Sequence, residues 1–231
     1  MQQTLKPLAL VLAVATLAGC AGDPNRDKKI GVGVGAVLGG LIGRQVSGAD
    51  GAPIVGAVVG ALAGGAVGGY MDRQRRELEA KLADEARRKE LVITQIAPDT
   101  LKIGVASDVS FDTGSAQMSA AALTTFAKIA GTLKSFDQTV VHVVGHTDTV
   151  GSSAYNQTLS DQRAASVGTY LAGQGLPAGR IREEGRGERE LLVRTGDNVA
   201  EPRNRRVDIV IKAVVEGNEQ SAWMPPPYLG G

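Results

Sequence analysis

The sequence predicts an α+β domain over residues 91–215, in which a β-sheet has helices on one side. Three observations support this prediction. Runs rich in β-branched residues indicate strands, apolar residues at helical spacing indicate two helices between them, and Gly, Pro and Asp residues mark turns. Strands and helices in this order pack as a sheet covered by a helical layer, a β/α/β sandwich.

The individual elements follow from local patterns. Residues 91–105 hold two alternating apolar runs around Pro98-Asp99, which indicates two strands joined by a turn. Ser119 can cap a helix whose apolar positions continue to Leu133. The remaining predicted elements are a buried strand at 139–145, a helix from Asn156 or Ser160 to Gly173, a short strand within 180–187 and a last strand within 205–215.

The N-terminus has the three-part pattern of a secretory signal. A basic Lys6 precedes an apolar run over residues 7–17, and small residues follow. Cys20 is the only cysteine, which excludes an internal disulfide. A lone cysteine can be a buried bystander or a redox thiol, but Leu17-Ala18-Gly19-Cys20 resembles a bacterial lipobox.

The lipobox resemblance implies a lipoprotein signal peptide at residues 1–19 and an acylated linker at 20–29. Acylation of Cys20 would attach the chain durably to membrane lipid, because each buried methylene contributes about 0.8 kcal/mol. Ala21 stands where an Asp commonly retains such lipoproteins in the inner membrane. We therefore expect an outer-membrane lipid anchor, with the C-terminal domain in the periplasm.

Composition and spacing argue against several other partners. A formal net charge of +1 and an aromatic content of 3% give little basis for binding nucleic acid. The sequence GVGVG at residues 31–35 lacks the Lys-Ser/Thr ending of a phosphate-binding loop. His142 and His146 alone do not complete a zinc site, so we expect neither a metal nor a cofactor.

Two glycine-rich segments, 30–43 and 53–70, separate the anchor from the domain. In each, glycine recurs at every fourth position, at Gly31, Gly35, Gly39 and Gly43 and at Gly56, Gly60, Gly64 and Gly68. This spacing aligns the glycines on one helical face, where two backbones can approach closely. We expect a glycine-zipper hairpin at 30–70 that enters the membrane or forms a homo-oligomer. The alternative is a flexible glycine-rich tether.

Two further segments are predicted from composition. Residues 71–90 intersperse both charge signs with few apolar positions, which is typical of a solvated helix. We expect a charged stalk helix that leads away from the zipper. Residues 216–231, which include Met224-Pro225-Pro226-Pro227-Tyr228, are expected to be a disordered Pro-rich tail.

Four motifs occur in order along the domain. They are FDTGSA at 111–116, GHTDTVGSSAYNQTLSDQRAASV at 145–167, EEGRGE at 183–188 and NRRVDI at 204–209. Together they resemble the OmpA-like domain, which also occurs in the peptidoglycan-associated lipoprotein and in flagellar motor stators. The resemblance implies non-covalent binding of the peptide stem of peptidoglycan. With the lipobox and the paired zippers, the chain looks like a glycine-zipper lipoprotein. One departure is Leu191, where many relatives have Pro.

The resemblance also implies roles for single residues. The free end of a diaminopimelate side chain has one ammonium and one carboxylate on the same carbon. Asp148 is expected to accept the ammonium, and Arg163 to grip the carboxylate with two parallel hydrogen bonds. We expect Arg163 to lie early on its helix, where the dipole favours an anion. Supporting peptidoglycan-binding roles are expected for Asn156, Asp112, Thr147 and Arg206. For Arg206 the alternative is a purely structural ion pair.

Alternatives to this interpretation differ in class. Without the resemblance, Asp148 and Arg163 would more often form an internal salt bridge. A second function is an oligomeric membrane-inserting or pore-like protein, in which the OmpA-like domain only positions the zipper. A third is an enzyme acting on peptidoglycan. No nucleophile elbow or positioned triad is present in the sequence, so we expect no enzymatic activity.

Overall fold

The computed structural model describes residues 60–230. The predicted signal peptide, Cys20, the first glycine segment and the beginning of the second lie outside the described residues. Within the described part of the chain, no helix combines the length and the apolar character needed to cross a membrane.

A five-stranded sheet forms the centre of the fold. Its strands are β1 (Leu91–Ala97), β2 (Thr100–Ala106), β3 (Thr139–His146), β4 (Ile181–Gly185) and β5 (Arg206–Ala213). They lie in the order β1-β2-β5-β3-β4, and only the β3–β4 pair is parallel. The helices are α1 (Val67–Lys81), α2 (Ala83–Arg87), α3 (Ser107–Ser110), α4 (Ala120–Ser135), α5 (Ser153–Gly173) and α6 (Glu219–Trp223). The predicted α+β class is confirmed.

Local signals explain where the two long helices begin. The side chain of Ser119 accepts a hydrogen bond from the backbone N–H of Ala122 and caps α4, as predicted. Ser152 caps α5 in the same way through Tyr155 N, so this helix begins earlier than Asn156. The main core lies between one face of the sheet and α1, α4 and α5. Its largest fully buried side chains include Phe126, Ile129, Leu133, Leu171, Ile209 and Ile211.

Residues 71–90 do not form the expected stalk that leads away from the domain. Helix α1 packs against α4, β1 and β2, and Met71, Gln74 and Leu78 are fully buried on its inner side. The OH group of Tyr70 accepts a hydrogen bond from Gln138 N at 3.0 Å, which ties α1 to the end of α4. Buried positions at intervals of three and four residues form a narrow stripe that faces the core, while the charged side chains cover the solvent side. The prediction of a helix leading away is therefore wrong.

The second glycine segment is also not one continuous helix. Leu62 pairs with Val215 in a parallel bridge, with hydrogen bonds from Leu62 N to Val214 O at 2.7 Å and from Glu216 N to Leu62 O at 2.9 Å. A 3₁₀ turn at Gly64–Ala66 follows and leads into α1. The prediction of a continuous zipper helix is therefore wrong over residues 60–66, because the backbone groups of Leu62 bond to Val214 and Glu216, just after β5, instead.

The C-terminal residues cover the second face of the sheet, which we call the outer face. Helix α6 packs on Val140 and Val214, and Leu229 packs on Val144 and Val210. Residues 216–230 therefore have defined packing partners, and the prediction of a disordered tail is wrong for them. The contacts are made by a few apolar side chains, Ala222, Trp223 and Leu229, within a polar, Pro-rich segment.

Gly145 sets the distance between β3 and α5. A Cβ atom at this position would lie 2.2 Å from the backbone O of Ser160, so no larger residue fits without displacing the helix. The chain leaves the sheet after His146, the next residue. The close approach therefore places the turn that contains Asp148 directly beside α5.

Candidate functional site

The candidate site lies at the end of the sheet where β3 finishes and β5 begins. His146 is paired with Arg206 in the last register position of these two strands. The Asp148 turn, helix α5, the loop after Phe111 and the loop 186–205 meet there. Two carboxylates, Asp108 and Asp148, and two guanidinium groups, Arg163 and Arg205, make up its charged centre.

Asp148 is held in a fixed orientation. Its Oδ1 accepts a hydrogen bond from Val150 N at 3.2 Å, and its Oδ2 accepts one from Glu201 N at 3.3 Å. Arg205 Nη1 lies 2.6 Å from the same Oδ2. The side chain is 8% exposed. The carboxylate is therefore largely buried, and its partners fix its direction.

Arg205 was not identified from the sequence. Its guanidinium binds Asp148 through one nitrogen and Asp108 through two, with Nε–Oδ1 at 2.8 Å and Nη2–Oδ2 at 2.6 Å. These carboxylates raise the pKa of Arg205, although burial acts against them. Arg205 is therefore the cation that neutralises and orients Asp148. The paired arginines of the NRRV motif are the sequence signal that could have identified it.

Arg163 has a different environment. Nε donates to Ser115 O at 2.9 Å, and the guanidinium carbon lies 5.1 Å from the centre of the Phe111 ring. The residue is 3% exposed, and its Nη1 has no hydrogen-bond partner among the described residues. No carboxylate of the described residues lies within salt-bridge distance of it. Burial lowers the pKa of Arg163, although Asp108 and Asp148 act to raise it.

Asp148 and Arg163 do not neutralise each other. Each is buried at the same end of the sheet, but no salt bridge joins them among the described contacts. A buried cation without a paired anion is costly, and an unpartnered buried N–H group requires an explanation. The internal salt bridge that the sequence left open as an alternative is therefore absent from the described structure.

The helix dipole does not explain the position of Arg163. Helix α5 begins at Ser153, which places Arg163 about 15 Å along the helix axis at 1.5 Å per residue. The dipole acts within the first turn only. The expectation that Arg163 lies early on the helix is therefore wrong.

Two predicted supporting residues act from beneath the site. Asn156 Nδ2 donates to Asp148 O at 3.2 Å and to Glu188 Oε2 at 2.6 Å, so it joins the Asp148 turn to the loop 186–205. Thr147 is 2% exposed and its hydroxyl has no partner among the described residues. Only its backbone N–H has a clear role, since it donates to Gly187 O at 2.9 Å. The predicted ligand-binding role of the Thr147 hydroxyl therefore stays a prediction.

Asp112 and Arg206 lie on opposite sides of the charged centre. Asp112 is exposed in the loop between Phe111 and Ser115, both of which contact Arg163. Arg206 does not reach Asp148. Its Nε donates to Asp208 Oδ2 at 3.0 Å and its Nη1 to Glu190 O at 3.2 Å. Adjacent strand residues face opposite sides of a sheet, so Arg205 faces the site and Arg206 does not.

A buried polar cluster surrounds Arg206. His146 Nε2 lies 3.3 Å from the same Asp208 carboxylate, and burial lowers the pKa of His146 although Asp208 acts to raise it. His146 is therefore neutral, and ionised Asp208 forms a structural ion pair with Arg206 on the outer face. Arg206 supports the site only indirectly, through the loop that contains Glu190.

The arrangement is suited to bind a zwitterion. Arg163 Nη1 is an unpartnered donor suited to a carboxylate, and the Asp148 carboxylate is an acceptor suited to an ammonium group. The two Asp and two Arg side chains give the centre no net charge before a ligand enters. A neutral amino-acid terminus therefore enters without leaving an uncompensated charge in the site.

Comparison with known proteins identifies two families in the chain. The OmpA family matches residues 110–205, and the YMGG-like Gly-zipper matches residues 1–72. The chain is 35% identical over 213 residues to the probable lipoprotein YiaD of Escherichia coli. That alignment covers 88% of this chain and 94% of YiaD. It is 33% identical over 112 residues to the outer-membrane lipoprotein YfiB of Pseudomonas aeruginosa, covering 48% of this chain and 67% of YfiB.

A solved structure, the cell wall anchor of the T6SS from Pseudomonas aeruginosa, has the same fold. It is 31% identical, with a TM-score of 0.51, and the alignment covers 60% of this chain and 99% of that chain. The four sequence motifs, the five-stranded sheet and the similarity to YiaD over nearly its whole length agree. The chain therefore belongs to the OmpA family, in the group of lipoproteins with a glycine-zipper segment ahead of the OmpA domain.

Proposed function

We propose that the chain is a non-catalytic envelope lipoprotein whose OmpA domain binds the peptide stem of peptidoglycan. The family membership and the likeness to a cell wall anchor support this function. One observation connects it to named residues. Arg163 is buried, and its Nη1 has no partner among the described residues. Such a group can donate hydrogen bonds to an anion from outside the fold.

The ligand we propose is the free end of a diaminopimelate side chain. Its carboxylate would bind the Arg163 guanidinium, and its ammonium would bind Asp148. Arg205 and Asn156 would keep Asp148 oriented. Charge-assisted hydrogen bonds of this kind are about twice as strong as neutral ones. Loss of either charged residue should therefore abolish most of the binding.

The proposal includes an envelope location. Acylated Cys20 would attach the chain to the outer membrane, and the OmpA domain would lie in the periplasm, where it can reach the wall. The chain would then tether the membrane to peptidoglycan. Self-association through the glycine zipper stays a prediction about residues outside those described.

Co-sedimentation with purified cell walls tests the proposal. In the full chain, we expect Asp148→Ala and Arg163→Ala to lose binding, because each removes one half of the zwitterion site. Arg163→Lys should also bind weakly, since a lysine keeps the charge but not the planar fork. Asp197→Ala and Arg194→Ala are matched controls, because both residues are exposed in the neighbouring loop.

Circular dichroism must show that each variant is folded, since Arg163 and Asp148 are buried. Full wall binding by folded Asp148→Ala and Arg163→Ala would refute the site. Release of soluble wall fragments by the wild-type chain would refute the non-catalytic assignment.

A further inference from the structure

The C-terminal residues 216–230, which we call the strap, cross the outer face of the sheet from end to end. The strap starts beside Leu62, where Glu216 N donates to Leu62 O. In the middle, His142 Nε2 lies 2.8 Å from Ala222 O. Leu229 then packs on Val144, close to the end of the sheet that carries the candidate site.

The end of the strap binds two side chains of the site loop. Arg186 Nη2 donates to Pro226 O at 2.7 Å, and Arg186 Nη1 donates to Pro227 O at 3.1 Å. Glu190 Oε2 accepts a hydrogen bond from Leu229 N at 3.2 Å, while its Oε1 lies 2.7 Å from Arg186 Nη1. The Arg186 side chain is 7% exposed. These bonds are thus largely shielded from water. Hydrogen bonds are stronger in such a low-dielectric environment.

Consecutive prolines suit this contact. Proline fixes its backbone torsion and has no N–H group, so the carbonyls of Pro226 and Pro227 are presented with little loss of conformational freedom. Pro226 is itself buried. The strap therefore presents two preset acceptors to one guanidinium.

The residues between Arg186 and Glu190 are the ones that hold the site. Gly187 O accepts the backbone N–H of Thr147 at 2.9 Å. Glu188 Oε2 accepts from Asn156 Nδ2, which also bonds to Asp148 O. Both ends of this short loop are fixed by the strap, and its centre fixes the turn that carries Asp148.

We propose that the strap is a positioning element of the ligand site, acting on Asp148 through Arg186 and Glu190. This inference rests on the proposed binding function and adds a determinant that lies outside the residues matched by the OmpA family. Since coupling between two sites is reciprocal, a ligand at Asp148 must also stabilise the docked strap.

The test uses the full chain and a diaminopimelate-containing stem peptide. Removal of residues 225–231, and separately Arg186→Gln, should each weaken binding about tenfold, within the usual range of coupling between sites. Arg194→Gln is the matched control, because Arg194 is exposed in the same loop. A synthetic peptide of residues 225–231, added in excess, should restore affinity to the truncated chain but not to Arg186→Gln.

A second measurement separates positioning from simple stabilisation. The stem peptide should slow hydrogen exchange at the Leu229 amide, and Asp148→Ala should remove this effect while leaving the strap docked. Trp223, the only tryptophan, lies 4.6 Å from the Arg182 guanidinium carbon and reports docking by fluorescence.

Three results would overturn the strap proposal alone. They are wild-type affinity in both the truncated chain and Arg186→Gln, no rescue by the added peptide, and unchanged exchange at Leu229 when the wild-type chain binds. Retained binding by Asp148→Ala would instead refute the site itself, so the two failures are distinguishable.

Discussion

Replacing Leu78 by alanine tests whether α1 belongs to the folded domain. Leu78 is fully buried in the core formed with α4 and the sheet. Leu→Ala replacements in such cores cost about 2–5 kcal/mol, because they remove apolar contacts and leave a cavity. On a solvated stalk the same change would be nearly neutral, since alanine is the better helix former.

A cost of about 3 kcal/mol converts into a shift of the unfolding midpoint. For a domain of this size, about 1 kcal/mol corresponds to about 2–4 °C, so we expect Leu78→Ala to lower the Tm by about 6–12 °C. Circular dichroism during thermal unfolding of the full chain measures this shift in Tm. Arg76→Ala on the exposed side of α1 is the control and should change the Tm by less than about 2 °C. A Leu78→Ala midpoint equal to that of Arg76→Ala would refute the packed helix.

Two further predictions concern pH and the anchor. Burial lowers the pKa of His142 and His146, so the unfolded chain binds protons more readily than the folded one. The free energy of unfolding should therefore fall as pH drops below about 6.5, by up to about 1.4 kcal/mol per pH unit for each histidine. In denaturant titrations, the free energy of unfolding of His142→Gln should depend less steeply on pH than that of the wild type. An identical pH dependence of the two free energies would contradict this. Cys20→Ser should move the chain from the membrane to the soluble fraction in cell fractionation, because acylation is lost, whereas unchanged membrane association would show that another segment anchors it.

The sheet and its two long helices could be predicted because their signals are local. Strand β3 is buried along its whole length, and its β-branched run is visible in the sequence. Helix α4 has a capping serine and a regular apolar stripe. Both features act within a few residues, so composition and spacing were sufficient.

Helix α1 was misjudged because its buried stripe is narrow. Met71, Leu78 and Leu82 face the core, but Gln74 occupies the position between the first two and is also fully buried. A polar residue within the stripe and charges on the remaining positions resemble a solvated helix. Only the tertiary contact with the sheet distinguishes the two cases.

The glycine segment and the strap were misjudged because their contacts are distant in sequence. Leu62 bonds to the residues that follow β5, and Leu229 packs on β3 and β5. Neither contact has a local periodicity. The glycine spacing therefore predicts a helix in one case, and composition predicts disorder in the other.

At the candidate site, the structure brings several of the predicted residues together but adds partners that the sequence does not predict. Asp148, Asn156 and Arg163 are brought together as expected. Of the two adjacent arginines in NRRV, the second was chosen, although the first, Arg205, holds Asp148. Which of two neighbours faces a site depends on where the strand begins, and a one-residue difference reverses the answer.

A crystal structure of the chain with a diaminopimelate-containing stem peptide tests the central claim most directly. We predict that the free carboxylate lies about 2.7–2.9 Å from the Arg163 guanidinium nitrogens and the ammonium at a similar distance from Asp148. A peptide bound elsewhere, with Arg163 Nη1 still unpartnered, would contradict it.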